Sequence, residues 1–268
     1  MNNNSAAQSL QGKAVLVTRP SHQAEKLAML IVAANGEAVR FPALAIEPPS
    51  SPDRVKELLR NLATFDLAVF ASANAVDHGL ALLGGKWPSA VTVAAVGEGS
   101  AAALRNRGIT TVVVPSGGAD SEALLAVPQL QRLDGKRVLI VRGEGGRELL
   151  AEELRLRGAH VTYAECYRRV RPRADPMAII SRWERGALHA VSVMSGETLD
   201  NLQAMLGPGG QQLLRNIPLF VPHPSIAERA KSIGLTEVVV TPPGDEGMVR
   251  GLCAWFSLRT DGDDAPST

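Results

Sequence analysis

Apolar positions in this chain fall into short unbroken runs separated by stretches of helical spacing. The clearest run is Arg137 to Val141, where aliphatic and β-branched residues follow one another as in a strand buried on both faces. A glycine-rich turn follows, Gly143-Glu144-Gly145-Gly146, then an amphipathic helix with apolar Leu149, Leu150, Leu154 and Leu156, closed by Gly158. A second strand, His160 to Glu165, runs on into Cys166-Tyr167-Arg168-Arg169. The pattern has occurred once before. Gly12 to Arg19 (GKAVLVTR) restarts at Gly135 to Arg142 (GKRVLIVR), an offset of 123 residues. In both copies a helix, a glycine (Gly36, Gly158) and a strand leading toward proline (Pro42, Pro172) follow. The chain is an internal duplication.

The first copy predicts strands at Ala14–Thr18, Ala38–Phe41, Asp66–Phe70, Val91–Val96 and Thr110–Val114. Helices are expected from the Pro20 turn to Gly36, from Asp53 to about Leu62, from Ser72 to Leu83, up to Arg107-Gly108, and briefly after Ser121. Ile46-Glu47-Pro48-Pro49-Ser50-Ser51-Pro52 is too proline-rich for an element interior and marks a crossing between domains. In the second copy Ala190–Gly196, Leu219–Ser225 and Val238–Pro242 stand where Ala68–Ala73, Ala94–Ser100 and Val112–Ser116 stood, and Ser195 answers Ser72 at the same offset. Five strands per copy, alternating with helices, predict an α/β fold of two parallel doubly wound sheets.

Composition narrows the function classes. A length of 268 residues suits two domains, and a hydrophobic content of 45% supports real cores. The net charge of +1 argues against a nucleic-acid binder. No apolar run reaches membrane-spanning length and the first residues are polar, so no membrane association and a cytoplasmic location are expected. Two cysteines, Cys166 and Cys253, agree with a reducing compartment. No stripe suggests an obligate interface, so a monomer is expected. Met1–Gln11 and Arg259–Thr268 are expected to be disordered tails.

In open parallel sheets, ligands sit beyond the carboxyl ends of the strands, near helix N-termini. Six turns occupy that position: Thr18-Arg19, Ser72-Ala73-Asn74, Gly97-Glu98-Gly99-Ser100, Arg142-Gly143-Glu144-Gly145, Ser195-Gly196 and His223-Pro224-Ser225. Any one of them is as readily an ordinary N-capped turn; together, in two domains, they favour an anionic ligand. Gly97-Glu98-Gly99-Ser100-Ala101-Ala102 fits a dinucleotide fingerprint, but the next strand ends at Val114-Pro115 where a ribose-binding acid should stand. The five histidines are scattered and there is no CxxC, so neither metal nor other cofactor is expected. No nucleophile elbow or Walker loop is present. Of the two tyrosines, Tyr163 is expected in the core by alternation, whereas Tyr167 ends its strand beside the second crossing. From there its phenol can donate into a cleft, or simply pack.

The segments VTRP (Val17 to Pro20), FASANAV (Phe70 to Val76), AVGEGSAAAL (Ala95 to Leu104), LIVRGEGGRELLAEELRLRGA (Leu139 to Ala159), YRR (Tyr167 to Arg169) and VPHPSIAERA (Val221 to Ala230) resemble the uroporphyrinogen-III synthase family in order and spacing, from about Gly12 to Phe256. The resemblance implies two flavodoxin-like domains joined by two linker strands, with a cleft between them. One would be discontinuous (12–42 and 172–258) and the other inserted (46–166). It implies cyclisation of hydroxymethylbilane, a linear tetrapyrrole with eight carboxylates, to uroporphyrinogen III, with loss of water and inversion of ring D through a spiro intermediate. It also implies Tyr167 as general acid, cleft-lining Ser72, Asn74, Ser195 and Ser225, and a transient hand-off from hydroxymethylbilane synthase. The family's GPTTA turn is replaced here by Pro222-His223-Pro224-Ser225-Ile226-Ala227. The alternative from another class is a non-catalytic two-domain binder of a small anion or nucleotide.

Overall fold

The structure is a computed structural model that describes residues 9–260. Residues 1–8 and 261–268, and with them most of both expected disordered tails, lie outside the described residues. The chain opens with β1 (Ala14–Val17), α1 (Ser21–Ala33) and β2 (Glu37–Arg40). Then follow β3 (Ala45–Glu47), α2 (Pro52–Arg60), β4 (Leu67–Phe70), α3 (Ala73–Leu83), β5 (Thr92–Ala95) and α4 (Glu98–Asn106). Next are α5 (Ser121–Leu125), β6 (Arg137–Gly143), α6 (Leu149–Leu156) and β7 (His160–Val170). The remainder is α7 (Met177–Glu184), β8 (Ala190–Ser192), α8 (Gly196–Leu214), β9 (Leu219–Val221), α9 (Pro224–Ser232), β10 (Val238–Val240) and α10 (Gly244–Thr260). Within α8, Gly207 adopts φ +63° and Pro208 follows it, so the element is two helices meeting at a kink.

The chain divides into two compact units, one running to Ala45 and resuming at Val170, the other Ile46–Arg169. The first holds a sheet in the order β10-β9-β8-β1-β2, and its recorded strand pairings are parallel. Read from β2, this is the doubly wound order 2-1-3-4-5. Its first two strands come from the first sequence copy and its last three from the second. The other unit holds β3-β7-β6-β4-β5, with β4, β5, β6 and β7 parallel. There the copies are exchanged: β6 and β7 belong to the second, β4 and β5 to the first, and β3 is added at the edge.

Both sheets are covered on two faces, as their unbroken apolar strands require. In the first unit Leu16, Val191 and Leu219 face Trp183, Leu199, Leu202 and Ile226 from α7, α8 and α9. On the opposite face Val15, Val17 and Phe220 meet Leu27 and Ile31 of α1 and Met248, Leu252 and Phe256 of α10. In the second unit Phe70, Leu139 and Val141 pack on Val55, Leu59, Val76 and Leu104. Leu67, Val69, Val138 and Ile140 pack on Leu124, Leu150 and Leu154. Each such side chain contributes about 1.5–3 kcal/mol by leaving water.

Several sequence expectations shift. Leu10, placed in the first tail, is fully buried among α1 and α10 residues, and its N–H donates to the Ala34 carbonyl at 2.6 Å. Ile46 and Glu47, placed in the first crossing, belong to β3. Thr110–Val114 forms no strand: Val113 alone bridges to the sheet, accepting from Ala95 N–H at 2.9 Å and donating to Val93 at 2.8 Å. Pro115 lacks an N–H with which to extend that ladder. Leu156 is 81% exposed, because α6 buries the stripe Leu150, Ala151 and Leu154 and Leu156 falls outside it.

Candidate functional site

The site residues of the second unit are set by an irregularity in β7. β6 and β7 pair in register from Arg137 opposite His160 to Arg142 opposite Glu165, then slip so that Gly143 pairs with Tyr167. Cys166 is the extra residue of a β-bulge, a device that re-aims side chains. Val161 and Tyr163 pack toward the α5–α6 face, while Ala164 and Cys166 face α2, α3 and α4. Strict alternation would return Tyr167 to the side of Tyr163. The bulge keeps it on the side of Cys166 instead.

Tyr167 is 4% exposed. Its phenol oxygen stands 3.1 Å from Ser72 Oγ, and its ring lies 5.5 Å from that of His78. Ser72 caps α3, where its Oγ accepts the Ala75 N–H at 3.1 Å. The phenol also lies on the bare Cα of Gly143, where any Cβ would come within 2.7 Å of the ring. The Glu144 N–H donates to the Tyr167 carbonyl at 2.8 Å. The Cys166 thiol contacts the carbonyls of Arg142 (3.3 Å) and Ala75 (3.6 Å), and burial pushes its pKa up to about 12, so it stays an S–H.

The turn after β6 wraps around Arg142, whose side chain is only 8% exposed. Nε donates to the carbonyls of Gly143 (3.2 Å) and Gly145 (3.1 Å), and Nη2 also donates to Gly145. Nη1 donates to the Arg147 carbonyl (3.5 Å) and to Glu148 (3.1 Å). Gly146 needs its φ of +113°, a region closed to other residues, to bend back over the guanidinium. The guanidinium lies 4.7 Å from the centre of the Tyr163 ring, and the Tyr163 hydroxyl donates to Glu148. That hydrogen bond, with help from Arg142, holds the Glu148 carboxyl below its ordinary range. Burial, reinforced by Glu148, raises Tyr163 above its own. Tyr163, expected in the core, is therefore half-buried. Ser72, Arg142, Gly143, Gly145 and Tyr167 together line a cavity of about 290 Å³.

Ala73, Gly97 and Ser100 line an adjoining hollow of about 210 Å³ at the ends of β4 and β5, and Asn74 lies in the first turn of α3. Gly97, the head of the dinucleotide fingerprint, is occupied: a Cβ there would come within 2.8 Å of the Ala119 methyl. Its smallness admits the 115–120 turn.

In the first unit the corresponding turns follow β1, β8 and β9. Thr18 is fully buried and its hydroxyl donates to the Ser192 carbonyl at 2.7 Å. Arg19 pairs with Asp245. Ser195 caps α8, accepting the Thr198 N–H at 3.1 Å, and Gly196 lets Arg229 approach to 3.1 Å of where a Cβ would stand. His223 caps α9: its Nδ1 accepts the Ser225 N–H at 3.2 Å and stands 2.8 Å from Ser225 Oγ. The structure thus gathers Ser72, Arg142, Gly143, Gly145 and Tyr167 around one cavity. Thr18, Arg19, Ser195, Gly196, His223 and Ser225 sit at strand ends of the other unit.

Sequence reasoning missed Arg147 and Arg169, which line the same cavity. Both were within reach of it, since Arg147 closes the glycine turn and Arg169 lies two residues beyond Tyr167. Among the described residues no group of three or more His, Cys, Asp or Glu could hold a metal ion, and no helix is long and apolar enough to cross a membrane.

Residues 25–250 match the family model described as uroporphyrinogen-III synthase HemD. The chain is 32% identical over 243 residues to the uroporphyrinogen-III synthase of Escherichia coli K12, covering 89% of this chain and 99% of that one. It is 35% identical over 248 residues to the enzyme of the same name from Salmonella typhimurium, with the same coverage. Among solved structures, a mutant uroporphyrinogen III synthase from Thermus thermophilus matches with a TM-score of 0.63 at 18% identity, over 94% of this chain and 100% of that one. The Helicobacter pylori enzyme matches at 0.56 and 15%, over 93% and 99%. At these identities the solved structures speak to the fold alone.

Proposed function

The chain belongs to the uroporphyrinogen-III synthase family, and we propose from that premise how its residues carry the reaction. The enzyme closes hydroxymethylbilane to uroporphyrinogen III in tetrapyrrole biosynthesis, losing water and inverting ring D through a spiro intermediate. The Tyr167 phenol hydrogen-bonds the departing hydroxyl of the terminal hydroxymethyl group. As the C–O bond breaks the phenol passes its proton to that hydroxyl, so water leaves and an azafulvenium cation remains for ring D to attack; the phenolate regains a proton from the one the pyrrole loses on closure. The observation that carries this role is the placement of the phenol: fixed 3.1 Å from Ser72 Oγ, it borders a cavity large enough for one substituted pyrrole.

Backbone amides of the other candidate turns take the carboxylates. Peptide N–H groups at Ala73, Asn74, Gly97, Gly145 and Gly196 sit at strand-to-helix turns, where they suit anions. Arg147 and Arg169 add charge beside the phenol. Because hydroxymethylbilane closes unaided to the wrong isomer, the protein's task is chiefly to hold the chain ends in one geometry. The lack of a catalytic triad fits that task. We assign the protein to a reducing cytoplasm as a monomer taking substrate in transient hand-off from hydroxymethylbilane synthase. Two buried free cysteines accord with that compartment. The test is to supply hydroxymethylbilane and identify the isomer: uroporphyrinogen III is expected, and uroporphyrinogen I at the uncatalysed rate would refute the activity.

A further inference from the structure

Arg142 turns its charge inward. A side chain 8% exposed, engaged with the carbonyls of Gly143, Gly145 and Arg147 and with Glu148, does not reach out for a substrate carboxylate. What it holds in place is the turn that seats Tyr167. Gly143, whose carbonyl accepts from Nε, lies under the phenol ring. Glu144, the next residue, donates its N–H to the Tyr167 carbonyl at 2.8 Å. From the other side, the thiol of the bulge residue Cys166 contacts the Arg142 carbonyl at 3.3 Å. The ring and the backbone of Tyr167 are therefore both seated by residues that Arg142 organises.

We infer that Arg142 is a positioning residue for Tyr167: its guanidinium fork fixes the turn from Gly143 to Glu148, and that turn holds the phenol against Ser72. The inference rests on the role proposed for Tyr167 and deepens it. Geometry, not charge, does the holding, because a planar fork reaches several carbonyls at once and a lysine ammonium does not. An arginine that bound substrate would behave differently, since its loss would weaken binding and a lysine would partly replace it.

Arg142→Lys, Arg142→Gln and Gly143→Ala are made in wild-type and Tyr167→Phe backgrounds. Each is assayed for kcat, KM and the ratio of uroporphyrinogen III to I, with folding followed by circular dichroism. In the wild-type background kcat falls about tenfold or more for all three while KM stays within about threefold, and in the Tyr167→Phe background the further loss is within about twofold. Arg142→Lys does not rescue. A wild-type rate for Arg142→Lys, a raised KM with kcat preserved, or losses that multiply in the double variants would each overturn the inference. If the Arg142 variants do not fold, Gly143→Ala decides: it keeps the guanidinium and moves only the seat of the ring, so an unchanged kcat overturns the proposal. A wild-type rate for Tyr167→Phe defeats the role of Tyr167 and this inference with it. A slowed Tyr167→Phe with multiplying losses defeats this inference alone.

Discussion

Gly143 and Tyr167 are in van der Waals contact across the β6–β7 bulge, with no room for a methyl group between them. The contact fixes where the phenol points, and the bulge fixes the face from which it points. Tyr167→Phe keeps the ring on Gly143 and removes only the oxygen facing Ser72. A positioned general acid contributes about 10²–10⁴-fold, and since this substrate also loses water unaided, the expected loss of rate is at the low end of that range. Isomer selectivity is partly retained. The stability cost is about 0.5–1.5 kcal/mol, that of one hydrogen bond. Initial rates, isomer ratios and Tm beside Tyr163→Phe, expected to slow the reaction far less, check this. A wild-type rate, or a change in Tm alone, would make Tyr167 a packing residue.

The cysteines should be silent in the folded protein. Cys166 is fully buried with its pKa pushed up to about 12, and burial raises Cys253 as well. A thiol reagent at neutral pH is expected to modify neither until denaturant is added, after which both react. Rapid labelling of the native protein would contradict the packing around the bulge.

Acid should weaken the first unit through His189. Its Nδ1 accepts the Ala14 N–H at 3.0 Å, a role open only to the unprotonated nitrogen. Burial, with Lys13 and Arg182 nearby, holds its pKa below the ordinary 6.5, against a smaller opposing effect of Glu37. As pH falls through 6.5 the unfolded chain takes up the proton first, so this share of stability is intact above that pH and is lost below it. Melting curves from about pH 8 to about pH 5 should fall more steeply for the wild type than for His189→Gln. Parallel curves would remove His189 from the account.

Leu10 is expected to behave as core. It is fully buried, and its Cδ1 lies 2.6 Å from where a Cβ on Gly36 would stand. Leu10→Ala should cost about 2–5 kcal/mol. Chemical denaturation measures the loss, and a change below about 0.5 kcal/mol would place this leucine outside the cooperative unit.

Activity should survive removal of metals. The sequence carries no ligand spacing for one, and dialysis against a chelator is expected to leave the rate unchanged. Restoration of a lost rate by an added metal would refute this.

The sequence by itself determined the duplication, most of the strands and many of the helices, because unbroken apolar runs and glycine-closed helices are local signals that survive any assembly. β6, α6 and β7 are placed within a few residues from pattern alone. Periodicity could not say which copy's strands pair. Val15 and Val138 are equivalent buried positions, as are Leu67 and Ala190, and only the assembled sheets put Val15 beside Ala190 and Val138 beside Leu67. Thr110–Val114 carries a strand pattern, yet it makes a single bridge, since a ladder needs a partner's hydrogen bonds as well as apolar side chains. The site divides the same way. Ser72, Gly143 and Tyr167 were legible as strand-end residues. That they meet depended on the bulge at Cys166, which turns Tyr167 to the opposite face by a slip that strand alternation cannot foretell. Arg142 stood among the anion-binding turns on sequence grounds. Only the folded turn, with its carbonyls aimed inward, decided that its guanidinium is bound to the protein itself.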